Sequence, residues 1–544
     1  MDFQRLFLFI IFSLSVFLLW DGWQRSQHPE IQTIPMVAPS GSALITATAS
    51  TDKPNSTEIQ IQQKRLAGQK ITVKTDRLIA EISTIGGDLR RLEFIQHRDA
   101  QDKSKPFTLF HEQNTHTYIA QSGLLGTGLP THNSIFKADA SEYQLVEGKD
   151  SFEVRLLATE ATGAKVSKVY VFHRGSYLID VGYEIENDGS TPLSPSAYFQ
   201  FVRDKTSPEG GSKFVPTYTG PAVYTEQEKF QKVSFSDIDK GKIKYPQRAD
   251  NGWIGMLQHY FVAAWLPKDK TPREFYTKQL GNDLYAAGVI LPVITIAPGQ
   301  STRISVPLYA GPAQVKLNKI APGLGLAVDY GRVTIIATPL FWLLSFLQEW
   351  VHNWGVAIIL LTFLIKLAFF PLSAASYRSM GKMRVVAPKL EKIKKQYGDD
   401  RERLHKAMME LYKTEKINPL GGCLPVLIQI PVFISLYWAI LASVELRYAP
   451  FFGWISDLSA ADPYYVLPLI MGASMLLQSR LNPTPPDPMQ AKLMQIMPIV
   501  FSVVFFFFPA GLVLYSIVNN SLSIMQQWYI TRGLKAEAKG AAKA

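Results

Sequence analysis

The sequence predicts a polytopic α-helical membrane protein, with six spans of which five form a C-terminal core, that carries a large all-β exported sandwich domain. Three observations lead to this fold class. Apolar runs near the length that a bilayer requires, about 20 residues, occur at the start of the chain and again from about residue 352 onward. Between them, residues 21–330 are polar and alternate like β-strands. The basic residues concentrate in one loop between the apolar runs, as in cytoplasmic loops of membrane proteins.

The first apolar run, Leu6–Trp20, follows a short start that contains Arg5. No small-x-small cleavage pattern follows it directly, so residues 1–25 are predicted to form an uncleaved signal anchor. A cleaved signal peptide is the alternative. Residues 26–62 are rich in Pro, Ser, Thr, Gln and Ala without periodicity, which predicts a flexible exported linker.

The exported domain is predicted over residues 63–330. Strand-like alternation is separated there by Gly, Pro, Asn and Asp clusters. The clearest strand patterns lie at 71–83, 177–188, 259–267 and 301–312. We expect a mostly antiparallel sandwich of about 250 residues, which is large enough to bury its own core.

No catalytic chemistry is apparent in the exported domain. His111-Glu112 and His116 do not have the spacing of the H-E-x-x-H zinc motif, so surface histidines are favoured over a metal site. We therefore assign no metal, no cofactor and no catalytic residue. The one cysteine, Cys423, falls inside a predicted span, so no intramolecular disulfide supports the exported domain.

Residues 331–351 precede the second span and predict an amphipathic helix in the outer membrane interface. Apolar side chains such as Phe341, Trp342 and Trp350 are accompanied by Glu349 on a polar side. The alternative, a part of a longer span, would bury Glu349 in lipid. We therefore favour the interfacial helix.

The orientation follows from the positive charges of the loops. The second span is predicted over 352–373 and spans three to six lie within 419–531, at about 419–443, 464–479, 493–508 and 510–530. The loop 374–418 carries 12 Lys and Arg residues and is therefore cytoplasmic. Because the chain changes sides at each of the six predicted spans, both termini, including the basic tail 532–544, then lie in the cytoplasm and the sandwich lies outside. The net charge of +11 largely reflects this bias and predicts no recognition of a specific nucleic-acid sequence.

The cytoplasmic loop 374–418 is predicted to form a helical hairpin. Gly398-Asp399-Asp400 supplies a turn with N-cap chemistry between two charged helices. Four apolar side chains suggest an adaptable docking surface for apolar segments: Met383, Met408, Met409 and Tyr412. Packing of the hairpin against itself is the favoured alternative, and the charges are expected to meet anionic lipid head groups.

Lys366 interrupts the apolar run LLTFLIKLAFFPL (360–372). None of the five C-terminal spans contains Asp or Glu, and an unpaired cation at that depth is costly unless water reaches it. We predict a hydrated, positively charged cavity open to the cytoplasm, and snorkelling of Lys366 to the interface is the alternative. Other polar residues of the spans could converge there: Thr362, Gln429, Gln478, Asn519 and Asn520.

Several stretches of the C-terminal half resemble those of a known family. They read EKINPLGGCLPVLIQIPVFISLYWAI (415–440), VELRYAPFFGWISDLSAADPYYVLPLIMG (444–472), DPMQAKLMQIMPIVF (487–501) and FPAGLVLYSIVNNSLSIMQQW (508–528). They are similar to the YidC membrane-protein insertase family, within the Oxa and Alb superfamily. The resemblance extends over essentially the whole chain and is to the Gram-negative form, which has a large periplasmic domain, here a β-supersandwich.

The resemblance implies a non-enzymatic insertase and chaperone of the bacterial inner membrane. Members enclose a groove with one basic residue in the second span, a position that Lys366 matches, although members more often carry arginine there. Relatives often have two aromatic residues where this chain has Tyr515-Ser516. We therefore do not infer an aromatic contact to the substrate at position 516. The groove residues that we expect are Lys366, Thr362, Gln429, Gln478, Tyr515, Ser516 and Asn519. The implied partners are nascent membrane proteins, the ribosome, SecYEG and SecDF, the signal-recognition receptor system and membrane lipids.

Two other functions remain open at this stage. A secondary transporter would use Lys366 as a substrate site, but such proteins usually show internal repeats and coupling carboxylates. A membrane-tethered carbohydrate-active enzyme would need a convergent carboxylate pair in the exported domain, and none is identified.

Overall fold

The computed structural model describes residues 68–541 apart from 100–101, 103, 114–115, 160, 162, 207–217, 243, 269, 282, 399, 416–423 and 482–487. The predicted signal anchor (1–25), the linker (26–62) and Cys423 lie outside the described residues. The described chain forms a β-rich domain followed by a helical part.

The β-rich domain consists of strands with one short helix. The strands are β1 (Lys70–Lys74), β2 (Leu78–Ser83), β3 (Leu89–Arg98), β4 (Pro106–Glu112), β5 (Thr117–Leu125), β6 (Phe136–Ala138), β7 (Glu142–Gln144), β8 (Ser151–Ala158), β9 (Lys165–His173), β10 (Leu178–Glu186), β11 (Ser196–Asp204), β12 (Thr219–Thr225), β13 (Lys229–Lys232), β14 (Arg248–Ala249), β15 (Trp253–Gln258), β16 (Phe261–Trp265), β17 (Arg273–Gly281), β18 (Leu284–Ile290) and β19 (Ser301–Pro312). Helix α1 (Phe235–Asp239) lies between β13 and β14.

These strands form two sheets. The ten-stranded sheet has the order β14-β17-β18-β11-β5-β4-β3-β2-β1-β7, and the nine-stranded sheet has the order β13-β12-β15-β16-β19-β10-β9-β8-β6. Neighbouring strands pair antiparallel except for β1 and β7, which pair parallel. The predicted sandwich architecture, with helices following it, is confirmed.

Two of the predicted strands have different limits in the structure. The stretch 71–83 is a hairpin rather than one strand, because the Thr75 hydroxyl accepts hydrogen bonds from the backbone N–H groups of Arg77 and Leu78 and closes a turn. The stretch 259–267 becomes a strand only at Phe261, since His259 has a φ of 27° in the turn between β15 and β16. Strand patterns in the sequence therefore locate strands better than they locate tight turns.

A buried ion pair links the two sheets. The Lys168 ammonium, on β9, lies 3.4 Å from a carboxylate oxygen of Asp88 and donates to the Gly86 carbonyl at 2.8 Å, and both charged side chains are 0% exposed. Burial raises the pKa of Asp88 to about 6 and lowers the pKa of Lys168 to about 8. The pair is an interior cross-link between the sheets in a core that is otherwise largely apolar.

The helical part begins after three short 3₁₀ turns. Its helices are α2 (Thr334–Val351), α3 (Trp354–Ala368), α4 (Phe370–Tyr397), α5 (Arg401–Thr414), α6 (Leu424–Ala442), α7 (Val466–Leu481), α8 (Pro488–Phe505) and α9 (Ala510–Ala541). Helix α9 packs against α3 and α7, α7 also packs against α8, and α2 packs against α3 and α6. The predicted second span does not run straight to residue 373, because the chain bends by 67° between α3 and α4.

Few of the described helices reach the length of a full span on their own. Within the described residues, α2 is long and apolar enough to cross a bilayer, and α3 with Phe370–Met383 meets the same criterion as a bent pair. Three shorter apolar segments follow, Ile428–Ala442, Val466–Leu481 and Gln495–Phe505. The predicted count of six spans stays a prediction.

The β-rich domain contacts the helical part through the loop that follows α6. The Arg447 guanidinium lies over the ring of Tyr260 at 5.4 Å from its centroid, and the Tyr448 hydroxyl donates to the Asp99 carbonyl at 2.9 Å. The His259 Nε2 atom lies 3.2 Å from a carbonyl oxygen in the last turn of α6. We call these contacts the junction.

Candidate functional site

Lys366 lies in the last turn of α3, directly before the bend. Its ammonium donates a hydrogen bond of 2.7 Å to the hydroxyl of Ser523 on α9, and that hydroxyl donates to the Asn519 carbonyl at 2.8 Å. In the described part of the chain no carboxylate pairs with Lys366. The cation is therefore held by a neutral hydroxyl, and its charge is not cancelled.

A small cavity adjoins Lys366 between α3, α4 and α6. Its volume is about 20 Å³, which is enough for roughly one water molecule. The Gln429 side chain, on α6, lines the cavity and donates a hydrogen bond to the Tyr515 hydroxyl on α9. The lining residues are Ile365, Lys366, Phe369, Ser373, Ile428, Gln429 and Val432.

A row of polar side chains runs along α9 at helical spacing. Its members are Ser516, Asn520, Ser523 and Gln527, all at most 8% exposed. The Asn520 amide donates to the Ser474 hydroxyl of α7 at 3.2 Å, and the Gln527 amide donates to the Leu481 carbonyl at 3.0 Å. This row and Lys366 together form what we call the polar seam. Ser523 and Gln527 were absent from the predicted site, although the spacing i, i+4, i+7, i+11 in the sequence marks them.

The structure brings together only some of the predicted groove residues. Lys366, Gln429 and Tyr515 lie around or beside the cavity. Thr362 is 1% exposed and its hydroxyl donates to the Ile358 carbonyl of its own helix at 2.7 Å, so it offers no free donor. Ser516 likewise donates to the preceding turn of its helix, Asn519 contributes its carbonyl, and Gln478 lies half-buried on α7 outside the cavity lining.

The predicted hairpin consists of α4 and α5 with Asp400 as N-cap of the second helix. Its apolar side chains pack mainly on one another, which is the arrangement that the sequence favoured. The cluster contains Val386, Leu390 and Tyr412 with Met383, Met408 and Leu411 against it. Of the four predicted docking residues, Met409 alone is exposed, at 39%.

The outer surface of the helical core is apolar. Side chains such as Phe363 and Leu367 on α3 and Ile499 and Val503 on α8 are more than half exposed. Large apolar side chains at this density on a helical surface are typical of contact with lipid. Together with a polar, cationic seam inside and an all-β domain at one end, they define a polytopic membrane protein with an exported sandwich domain.

Comparison with known proteins gives the family. Residues 70–343 match the YidC periplasmic domain, and residues 346–538 match the 60Kd inner membrane protein family. The chain is 56% identical to the membrane protein insertase YidC of Nitrosospira multiformis, over 100% of this chain and 99% of that protein. It is 54% identical to the same protein of Methylobacillus flagellatus, over 100% of both chains. The chain therefore belongs to the YidC membrane protein insertase family.

Solved structures resemble the chain more distantly. A crystal structure of an active YidC insertase with its first transmembrane domain resolved has 21% sequence identity and a TM-score of 0.41, covering 85% of this chain and 92% of that one. A galactose mutarotase related enzyme from Lactobacillus acidophilus has 10% identity and a TM-score of 0.30, over 44% of this chain and 97% of that one. Neither likeness is close enough to support a functional argument.

Proposed function

We propose that this protein inserts and folds integral membrane proteins in the inner membrane by receiving their polar flanks at the polar seam. The observation that carries the proposal is the Lys366 ammonium, which is bonded to a hydroxyl and has no carboxylate partner in the described residues. A cation of this kind attracts acidic or polar residues of an entering chain. The Gln429 and Tyr515 side chains beside the cavity add neutral hydrogen-bonding groups.

The mechanism requires no covalent step. A polar flank that crosses the bilayer unaided must lose its water, at a cost of several kcal/mol for each unpaired polar group. A polar seam that bears a positive charge replaces part of that water and shortens the apolar distance to be crossed. Burial of the client's apolar segment in lipid, at about 25 cal/mol per Å², then drives insertion, and the membrane potential adds a pull on acidic residues.

We infer a topology in which the hairpin lies in the cytoplasm, both termini are cytoplasmic and the sandwich is periplasmic. The 12 basic residues of 374–418 support this orientation. Helix α2 is proposed to lie in the outer interface, since the rings of Trp342, Phe346 and Trp350 contact one another along one exposed side while Glu349 is also exposed. The five-helix core would then consist of α3 and α6–α9.

The proposed partners rest on two kinds of support. Nascent membrane proteins follow from the insertase family, and Met409 on the hairpin is the exposed apolar residue of the predicted docking set. The ribosome, SecYEG with SecDF, and the signal-recognition receptor system are implied by resemblance to the family, and membrane lipids by the apolar outer surface. A secondary transporter is not favoured, because the full-length relatives are named as insertases.

Photo-crosslinking from two positions of α3 tests the route. Ile365 lines the cavity beside Lys366, whereas Phe363 is 51% exposed on the same helix and does not line it. With a photoreactive residue at each position, a ribosome-bound single-span client in native membranes is expected to crosslink at 365 during insertion and not at 363. Efficient insertion with no crosslink at 365 would exclude the polar seam as the path.

A further inference from the structure

The periplasmic domain contains a cavity that is separate from the polar seam. It has a volume of about 310 Å³, within the usual size of small-ligand sites. It lies against β3, β4, β5 and β11, and none of its lining residues belongs to the helical part. They are Arg91, Asp99, Phe107, Thr108, His111, Gln113, His116, Thr117, Tyr118, Arg203, Asp204, Thr206 and Gln258.

Two deeply buried side chains in the lining keep hydrogen-bond donors that the described residues do not use. Arg203 is 4% exposed, and its Nη2 atom donates to the Thr206 carbonyl at 3.2 Å while its Nη1 atom has no hydrogen-bond partner among the described residues. Gln258 is 5% exposed, and the described residues provide no hydrogen bond to its carboxamide. A buried polar group without a partner is costly, so a site that leaves the Arg203 Nη1 donor unpaired beside an unbonded Gln258 carboxamide is suited to a ligand with oxygen acceptors.

Two imidazoles contribute to the lining of the cavity. His111 and His116, which the sequence placed on the surface, have ring centroids 6.1 Å apart in the lining. Burial, reinforced by the nearby Arg203, lowers the pKa of His111. No group of three potential metal ligands occurs within the described chain.

Charges of both signs line the cavity. The carboxylate of Asp204 accepts hydrogen bonds from the backbone N–H groups of Thr117 and Thr206, so it is already held by the protein. Arg91, at the more exposed side, pairs with Glu93. A ligand that offers a carboxylate to the guanidinium groups and N–H groups to the acidic side satisfies this lining better than a simple anion does.

The position of the cavity relates it to the membrane. Asp99, one of its lining residues, belongs to the junction, because its carbonyl accepts a hydrogen bond from the Tyr448 hydroxyl. Phe107, another lining residue, lies beside the junction, since the Arg447 guanidinium is 6.0 Å from its ring centroid. The cavity thus adjoins the end of the helical core that contacts the β-rich domain.

We propose that this cavity binds a carboxylate-bearing ligand, with Arg203 and Gln258 as the buried donors and Arg91 as an outer cation. The chemistry has two possible sources, an acidic segment of a translocated client or a free small acid of the periplasm. The first source rests on the proposed insertase function, whereas binding itself can be measured without any insertion.

The test uses the purified full chain in detergent and the fluorescence anisotropy of a labelled short peptide that contains aspartates. The same peptide with asparagines is the reference, and succinate is the competing small acid. Gln258→Met and Arg91→Gln are the principal variants, and Arg203→Gln is added if its thermal unfolding matches the parent. Arg155→Gln is the matched control, because Arg155 has the same side-chain exposure as Arg91, 46%, and also pairs with glutamates.

The expected result is binding of the aspartate peptide about tenfold or more tighter than the asparagine peptide. Gln258→Met is expected to lose about tenfold in affinity and Arg91→Gln several-fold, with Arg155→Gln unchanged. Displacement of the peptide by equimolar succinate would support the site and assign a small acid, and failure of displacement would support the site and assign a peptide segment. Equal affinity for both peptides, or full affinity in Gln258→Met and Arg91→Gln, would overturn the proposal and leave the insertase function untouched.

Discussion

Replacement of Lys366 by alanine tests the electrostatic role of the polar seam most directly. It removes the charge and the 2.7 Å hydrogen bond to Ser523. Lys366→Arg keeps the charge and a donor that can reach the same hydroxyl, so near-normal insertion is expected. Ser523→Ala keeps the charge and removes its anchor. The three variants together separate the presence of the cation from its position.

The magnitude follows from the exposure of the site. Two unit charges about 4 Å apart attract by about 1 kcal/mol in water and by about 4 kcal/mol at an effective dielectric constant of about 20. Lys366 is half-buried, so its attraction for a client carboxylate falls between these values. Since about 1.4 kcal/mol corresponds to a tenfold change in rate, Lys366→Ala is expected to slow insertion by roughly fivefold to several hundredfold. Ser523→Ala is expected to cost less, about tenfold at most.

The assay is insertion of a single-span client with an acidic exported tail into proteoliposomes, followed by protease protection of the tail. The same client with a neutral tail controls for general damage, and Lys389→Ala controls for loss of one positive charge, since Lys389 pairs with Glu415 on the exposed hairpin. Insertion of the acidic tail by Lys366→Ala at the parental rate would refute the electrostatic role.

Three further predictions concern stability. Asp88→Asn leaves Lys168 buried without its counter-charge and is expected to lower the free energy of unfolding of the sandwich by about 3–5 kcal/mol in denaturant titration; an unchanged midpoint would contradict the pairing. Gly355→Ala places a Cβ atom 2.0 Å from the Phe451 ring and is expected to lower the free energy of unfolding by about 1–3 kcal/mol, measured as a lower Tm. An unchanged Tm would show that the ring moves freely. Burial lowers the pKa of His259 to about 4, below the value of about 6.5 for an unfolded chain. The neutral form of His259 therefore stabilises the junction fully above pH 6.5. This stabilisation, at most about 3 kcal/mol, is lost as the pH falls towards 4. His259→Gln keeps a donor but does not titrate, and should show a smaller decrease in Tm between pH 7 and 5 than the parent shows.

The bend after α3 shows what a hydropathy pattern leaves out. The run 360–372 is apolar except for Thr362 and Lys366, so length and composition predicted one span through to residue 373. Pro371 lies at the start of α4, where its missing N–H and its ring prevent the α3 hydrogen bonds from continuing. The proline was visible in the sequence, and its effect on the backbone would have located the break.

The two halves of the fold were predictable to different degrees. Period-two alternation such as that of β10, whose residues alternate between buried and partly exposed positions, predicted strands and a sandwich. The order of the strands was not accessible, because pairings such as that of β1 with β7 join residues about 70 positions apart and depend on the whole core.

The candidate site was also predicted only in part. Lys366 was found because one charge in an apolar run is conspicuous, and Gln429 because an amide in a span is uncommon. Ser523 was missed because serine hardly changes hydropathy, and only its helical spacing with Ser516 and Asn520 marks it. Thr362 was assigned to the groove one turn from Lys366, but β-branched threonine satisfied its hydroxyl on its own backbone at Ile358.

The shortness of two core helices has a consequence for the surrounding lipid. Helix α3 has 15 residues before the bend and α7 has 16, and at about 1.5 Å per residue each spans only about 22–24 Å. The hydrocarbon layer is about 30 Å thick, and a bilayer adapts to a short hydrophobic length by local thinning. We therefore expect the membrane to be locally thinned beside this protein, so that a client would have several ångströms less hydrocarbon to cross there than in the unperturbed bilayer.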